Sequence, residues 1–249
     1  MKITLLTIFT LLSFSVFAQN PYGAPPPPPP SGEELNMPDE WGSRYFHFGL
    51  NITPGLYWNN ANSSNNTPNG TSFGFGYGAN LEFYFTRNYG FLLGFEITNI
   101  GAKYINTTAN PSFGVLDSTI THNETVQYLQ IPLELKLKTV PFRNIRYYGV
   151  VGLELGFRLK ATDDYTYTEN VITMPSFVVS HSASNVNISD QTDFFRVSLV
   201  VGFGAEYTLA GSTALQASIC YNNCFTNLNS TSTSALNVKG MELMVGILF

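Results

Sequence analysis

The sequence predicts an all-β fold: an eight-stranded antiparallel up-and-down transmembrane β-barrel over residues 44–249, behind an export signal and a proline-rich arm. Three observations carry this. From position 44 onward, apolar and polar residues alternate through eight long segments, the two-residue period of β-strands. The connections alternate between short and long, which puts tight turns on one rim and long loops on the other. Only 12% of residues are charged while 14% are aromatic, an imbalance expected where lipid replaces a charged exterior.

The N-terminus comes first. Lys2 opens the chain, and the apolar run 5–17 is broken only by Thr7, Thr10, Ser13 and Ser15 before Val16-Phe17-Ala18. This reads as a secretory signal, 1–18, cleaved between Ala18 and Gln19. It is too short for a spanning helix, and no later stretch reaches the ~20 apolar residues such a helix needs. No cysteine follows the cleavage position, so lipid attachment there is not expected. Residues 19–43 hold the run Pro25 to Pro30, which favours extended polyproline II and spans ~19 Å. The expectation is a periplasmic arm.

The strands follow in order. Strand one, 45–58, sets Phe48, Leu50, Ile52, Pro54 and Leu56 on one face. Strand two, 72–86, opposes Phe73, Phe75, Tyr77, Leu81 and Phe83 to Gly74, Gly76, Gly78, Asn80 and Glu82. Strand three starts near Tyr89, with Phe91, Leu93, Phe95 and Ile97 against Gly94, Glu96 and Thr98. Strand four, 124–138, alternates Leu129, Ile131, Leu133, Leu135 and Leu137 with Gln130, Pro132, Glu134, Lys136 and Lys138. Strand five, 144–160, sets Tyr147, Val151, Leu153, Leu155, Phe157 and Leu159 against Arg146, Glu154, Arg158 and Lys160. Strand six, 192–207, opposes Phe195, Val197, Leu199, Val201 and Phe203 to Arg196, Ser198 and Glu206. Strand seven, 213–225, and strand eight, ending at Phe249, continue the pattern with Gln216, Cys220 and Glu242 on the polar face.

Short connections fall at 87–88, 139–143 and 208–212; long polar ones fall at 59–71, 107–123, 161–191 and 226–236. Aromatic residues gather near strand ends: Tyr57, Trp58, Tyr104 and Phe225 toward the loops, Tyr84, Tyr89, Tyr147 and Tyr207 toward the turns. They suit interfacial girdles. A soluble ligand-binding barrel would turn its apolar face inward and its charges outward. Here one face is nearly pure Leu, Phe, Ile and Val, which suits lipid, and the other pairs glycine with charge.

That polar face is the main constellation. By strand parity Glu82, Glu96, Glu134, Glu154, Glu206 and Glu242 share the lumen with Lys136, Lys138, Arg146, Arg158, Lys160 and Arg196. Eight strands leave a bore just wide enough for side chains. Unpaired buried charge costs several kcal/mol, so the expectation is a balanced plug of ion pairs that closes the barrel to ions.

Other chemistry finds little support. The histidines are His47, inward on strand one, and His122 and His181, both placed in outer loops. Asp117, Ser118 and His122 lie close together, but no catalytic triad is assigned to them. Asp163-Asp164 reads as a solvated loop rather than a calcium site. Cys220 and Cys224 lie ~13 Å apart along one strand, too far for a disulfide unless a turn forms at Asn222-Asn223. No cofactor, metal or catalytic residue is expected, and the net charge of -5 argues against a nucleic-acid partner. The expected partners are outer-membrane lipid and an extracellular or periplasmic protein.

The apolar alternation ending in Phe249 resembles the assembly signal of outer-membrane barrels. Gln19 after the cleavage position resembles exported proteins of the Bacteroidota. Tyr128-Leu129-Gln130-Ile131-Pro132-Leu133-Glu134-Leu135-Lys136 resembles a strand of the PorT-type outer membrane β-barrel family of that phylum, and 149–160 and 193–207 are similar to its following strands. The resemblance implies residence in the outer membrane of a Gram-negative bacterium and, through the family's namesake, a link to type IX protein secretion. Two roles follow: surface interaction through the long loops, or an accessory part in export; a lipid-modifying enzyme trails both.

Overall fold

The computed structural model describes residues 45–61, 66–108, 115–171, 177–228 and 236–249. The expected signal and proline-rich arm lie outside the described residues. Among the described residues ten strands form: β1 (Phe46–Ala61), β2 (Asn66–Pro68), β3 (Thr71–Tyr84), β4 (Tyr89–Thr108), β5 (Val115–Lys138), β6 (Ile145–Val171), β7 (Phe177–Asn187), β8 (Phe195–Ala210), β9 (Thr213–Cys224) and β10 (Leu236–Leu248). Eight of them close a ring in the order β4-β3-β1-β10-β9-β8-β6-β5, with β5 pairing back to β4. Every pair is antiparallel. The eight-stranded up-and-down barrel is therefore the observed fold.

Closure joins the first strand to the last, with Gly49 opposite Leu248 and Leu56 opposite Met241. Phe48 and Phe249 exchange backbone hydrogen bonds, so both ends of the ring lie at the short-turn rim. Residues 85–88, 139–144 and 211–212 turn the chain there. Gly211 takes a positive φ of 55°, which glycine adopts at little cost.

Side-chain direction follows the alternation. Leu50, Ile52, Leu56, Phe73, Phe95, Leu135, Leu153, Phe203 and Leu243 point outward. This apolar belt has a sharp upper border on three adjacent strands. Asn99 stands opposite Gln127, and Gln127 opposite Lys160. Gln127 donates to the Asn99 side chain at 3.2 Å, so a polar row ends the belt.

Beyond that row the structure departs from expectation. Most of 107–123 and 161–191, expected as loops, is strand. β6 runs for 27 residues and β5 for 24, paired as far as Val115 opposite Val171, and β7 pairs the far end of β6. A crossing takes only ~9–11 residues, so β4 to β7 continue as a ribbon past the belt. The segment Thr162 to Thr168 is polar on both faces, which hides it from a search for apolar alternation. Its Thr and Tyr residues nonetheless favour the extended state, and cross-strand pairing supplies the rest. β2 pairs with β4 beyond the end of β3, at the same rim.

The girdle assignment needs correction at three positions. Tyr57, Tyr84 and Tyr104 are buried in the barrel interior, while Trp58, Tyr89, Tyr147, Tyr207 and Phe225 face outward. Tyr57 follows the outward Leu56, and Tyr84 follows the outward Phe83, so alternation turns both in. Cys220 and Cys224 are free and buried on the same face of β9. No turn forms between them, because Asn222 and Asn223 hold register with Gly240 and Lys239 of β10.

Candidate functional site

The lumen is built in three levels from the short-turn rim upward. At the lowest level Lys136 and Lys138 project from β5 between Glu82 of β3 and Glu206 of β8. Lys136 Nζ lies 2.6 Å from Glu82 Oε1 and 2.7 Å from Glu206 Oε1. Lys138 Nζ lies 2.8 Å from Glu206 and 3.6 Å from Glu82. All four are buried. Lys136 also donates to Gln216 and sits 4.1 Å above the Tyr148 ring, and Lys138 sits 4.1 Å above the Tyr84 ring. The Tyr84 hydroxyl donates to Glu82. Two cations, two anions and two aromatic faces thus form one neutral knot.

The middle level centres on Glu154. Its Oε1 accepts from Gln130 at 2.6 Å, from Asn222 at 3.0 Å and from the Arg196 guanidinium at 3.0 Å. Arg196 reaches on to Asn222 Oδ1 at 2.9 Å. Beneath this cluster a cavity of about 50 Å³ is lined by Glu96, Glu134, Glu154 and Glu242 with Asn51 and Asn80. Glu96 accepts from Asn51 and Thr98, and Glu242 accepts from the Tyr57 hydroxyl at 2.9 Å.

The uppermost level is apolar. Tyr57, Ile100, Tyr104, Val126, Tyr128, Leu236 and Val238 from the strands meet Ile188 and Leu228 from the connections in one buried cluster. Backbone hydrogen bonds fix the two connections: Ile188 N–H donates to Ala161, and Leu228 N–H donates to Leu236. The interior is thus charged below and mainly apolar at this level.

The expected balance of six acids and six bases is not what forms. Lys136, Lys138 and Arg196 make the ion pairs of the lumen, while Glu96, Glu134 and Glu242 make none among the described residues. Arg146 lies half-exposed at the rim, across the ladder from Glu206. Arg158 is half-buried and donates to the Thr192 carbonyl. Lys160 points outward and is exposed. The cause is a bulge: Tyr128 faces Arg158 but Gln127 faces Lys160, so Leu159 is an extra residue. One inserted residue sends every later side chain of β6 to the opposite face. Lys160 leaves the lumen, and Ala161 and Asp163 enter the interior.

That parity change assembles a second polar group above the belt. Glu124 stands opposite Asp163, with Ala102 on the other side of Glu124. His122, two residues along β5, stacks on Tyr104 at 4.6 Å with 18° between ring planes. Its Nδ1 lies 2.6 Å from Asp163 Oδ2. Asp163 Oδ1 accepts from the Asn123 backbone at 3.1 Å, and the Tyr104 hydroxyl donates to Glu124 at 2.6 Å. Glu124 and Asp163 are buried.

These positions revise several sequence readings. His122 and His181 sit on strands, not in loops; His181 is exposed on β7 opposite Tyr167. Asp163 and Asp164 face opposite ways, and Asp164 accepts from the Asn185 backbone at 2.6 Å instead of sharing an ion site. The sequence places Gln130 and Gln216 on the polar face, but their bonds to Glu154 and Lys136, that of Asn222 to Glu154 and those of the inward tyrosines have no sequence signature beyond the polar parity of each strand.

The family model described as "Outer membrane protein beta-barrel domain" matches residues 17–227. Among solved structures, Neisserial surface protein A is similar at 15% identity, covering 82% of this chain and 96% of its own, with a TM-score of 0.40. Ail, the attachment invasion locus protein of Yersinia pestis, in complex with the heparin analogue sucrose octasulfate, gives 13% identity, 83% and 100% coverage, and a TM-score of 0.34. The outer membrane protease OmpT of Escherichia coli gives 7% identity, 82% and 96% coverage, and 0.38. No curated protein matches the chain at a significant level.

Proposed function

Since the chain belongs to the outer membrane protein β-barrel domain family, we propose that this outer-membrane barrel is a closed, non-enzymatic scaffold that presents its β4–β7 ribbon to a partner outside the cell. The observation that carries the reading is the ribbon itself. The part of β6 beyond Lys160 adds ~35 Å of strand at ~3.3 Å per residue, and none of it is needed to cross lipid. In barrels of this kind the short turns are periplasmic and the long connections extracellular, which puts the ribbon outside. The exposed side chains Val178 and Val179 on β7 then face the surroundings rather than a core.

Closure is the second half of the proposal. The neutral knot of Lys136, Lys138, Glu82 and Glu206 fills the bore below, and the apolar cluster around Tyr128 and Leu228 fills it above. Ions crossing this path would shed water against the apolar constriction. The test joins both halves. Protein with residues 162–187 replaced by a short turn should still form a heat-stable barrel but lose adherence of whole cells to host matrix or neighbouring cells. Intact protein in planar bilayers should show no reproducible channel steps. Unchanged adherence, or steady conductance, would refute the corresponding half.

A second reading draws on the motif Tyr128 to Lys136, which resembles the PorT-type family: an accessory role in type IX-like protein export. Deleting the gene and following secreted cargo in periplasm and supernatant separates the two. Cargo retained in the periplasm, and released on restoring the gene, would favour export.

A further inference from the structure

We propose that His122, Glu124 and Asp163 form a binding site for a divalent transition metal of the zinc type at the root of the ribbon. Each residue offers one ligand atom, and the three atoms lie within 4.8 Å of one another. Among the described residues this is the one His/Cys/Asp/Glu group so gathered. The donor set is chemically specific: an imidazole nitrogen with two carboxylate oxygens suits zinc and its neighbours, whereas calcium and magnesium favour oxygen alone.

The surroundings fit a metal centre better than a surface cluster of acids. The two carboxylates are almost entirely buried, opposite one another on paired strands, so their approach is imposed by the ladder and cannot relax into solvent. Partners outside the donor set orient the ligands. Tyr104 stacks on the His122 ring and donates to Glu124, and the Asn123 N–H holds the second oxygen of Asp163. Oriented ligands of this kind are what metal sites require of their outer partners. Glu124 lies only three positions along β5 from the polar row at Gln127, ~10 Å of strand, which leaves the site beyond the apolar belt and within reach of dissolved ions.

Charge points the same way. Two buried carboxylates share this site with one histidine, so even a protonated His122 leaves one negative charge. A dication bound at Nδ1 and two carboxylate oxygens leaves the site neutral with a neutral imidazole. Binding replaces the His122–Asp163 hydrogen bond by two metal bonds, with the imidazole proton carried on Nε2. A water molecule takes the remaining tetrahedral position. The ion would clamp β5 to β6 where the ribbon leaves the barrel.

The test uses the full mature chain, untagged, folded in detergent micelles, stripped with EDTA and titrated with Zn²⁺. Calorimetry and elemental analysis should give one zinc per chain, retained in millimolar Mg²⁺. His122→Ala and Glu124→Gln should each weaken binding at least tenfold, while His181→Ala should not change it. Each variant is checked for the heat-modifiable migration of a folded barrel. Should a variant not fold, X-ray absorption of the zinc-loaded wild type decides: one imidazole with oxygen ligands and no sulfur is expected. No stoichiometric zinc, tight binding that survives both folded variants, or a sulfur-containing shell would overturn the assignment.

Discussion

Replacing Lys136 with methionine keeps the bulk of the side chain and removes one charge from the deepest part of the lumen. Lys136 lies within 2.7 Å of both Glu82 and Glu206, and it is essentially inaccessible to solvent. Removing one member of a buried pair costs about 3–5 kcal/mol, because the partner stays behind as an uncompensated charge. Here Lys138 remains 2.8 Å from Glu206 but 3.6 Å from Glu82, so one carboxylate keeps a close cation and the other does not. The expected loss therefore falls at the lower end, about 3 kcal/mol. Reversible urea unfolding of the refolded barrel, followed by tryptophan fluorescence, measures it as a shift of midpoint at constant slope. The double variant Lys136→Met/Glu82→Gln removes the stranded charge and should recover part of the loss, giving a favourable coupling in a double-mutant cycle. A single variant within about 0.5 kcal/mol of wild type, the range of an ordinary surface change, would show that Lys136 adds no net stability. The knot would then be ornamental rather than stabilising.

Three further outcomes can be checked. Tyr57→Phe removes the hydroxyl that donates to Glu242 at 2.9 Å inside the barrel, and should cost about 1.5–3 kcal/mol in the same unfolding assay. At Gly152 an added Cβ would lie 2.5 Å from the Glu134 Cα and closer still to the Leu133 carbonyl oxygen. Gly152→Val should therefore lower the yield of folded, heat-modifiable barrel, because backbone cannot give way as a flexible side chain can. Inserting one residue between Lys160 and Ala161 reverses the facing of the rest of β6 and expels Asp163; limited chymotrypsin digestion should then cut the ribbon at Tyr165 or Tyr167 while leaving the belt-spanning strands protected.

What was legible in the sequence follows from where alternation is uninterrupted. Between Leu129 and Leu137 every second residue is apolar, and lipid contact makes that face obligatory, so strand identity and facing could be read without a structure. Glu82, Glu134, Glu154, Glu206, Glu242, Lys136, Lys138 and Arg196 all lie in such stretches, and all are buried in the lumen. Parity fails where the chain adds a residue. The extra residue at Leu159 has no signature in Gly149 to Lys160, and it alone separates Lys160 from the lumen. The ribbon was hidden for a different reason. Once strands leave lipid, neither face must be apolar, and Thr162 to Thr168 resembles a polar loop although it pairs throughout with β5. The group of His122, Glu124 and Asp163 needs both facts at once, which is why only the folded chain brings it together.

The lumen draws its members from all around the ring. Glu82 comes from β3, Lys136 from β5, Arg196 from β8 and Glu242 from β10, and the Tyr57–Glu242 contact spans 185 residues of chain. An open sheet lacking β10 cannot offer Tyr57 its carboxylate, and a sheet that has not curled leaves Lys136 facing a half-formed trough. The Tyr57–Glu242 contact therefore arrives only when the last strand meets the first. Insertion should behave as a ratchet with a late, all-or-none step, in which partially threaded chains remain polar on the inside and open to rescue or degradation.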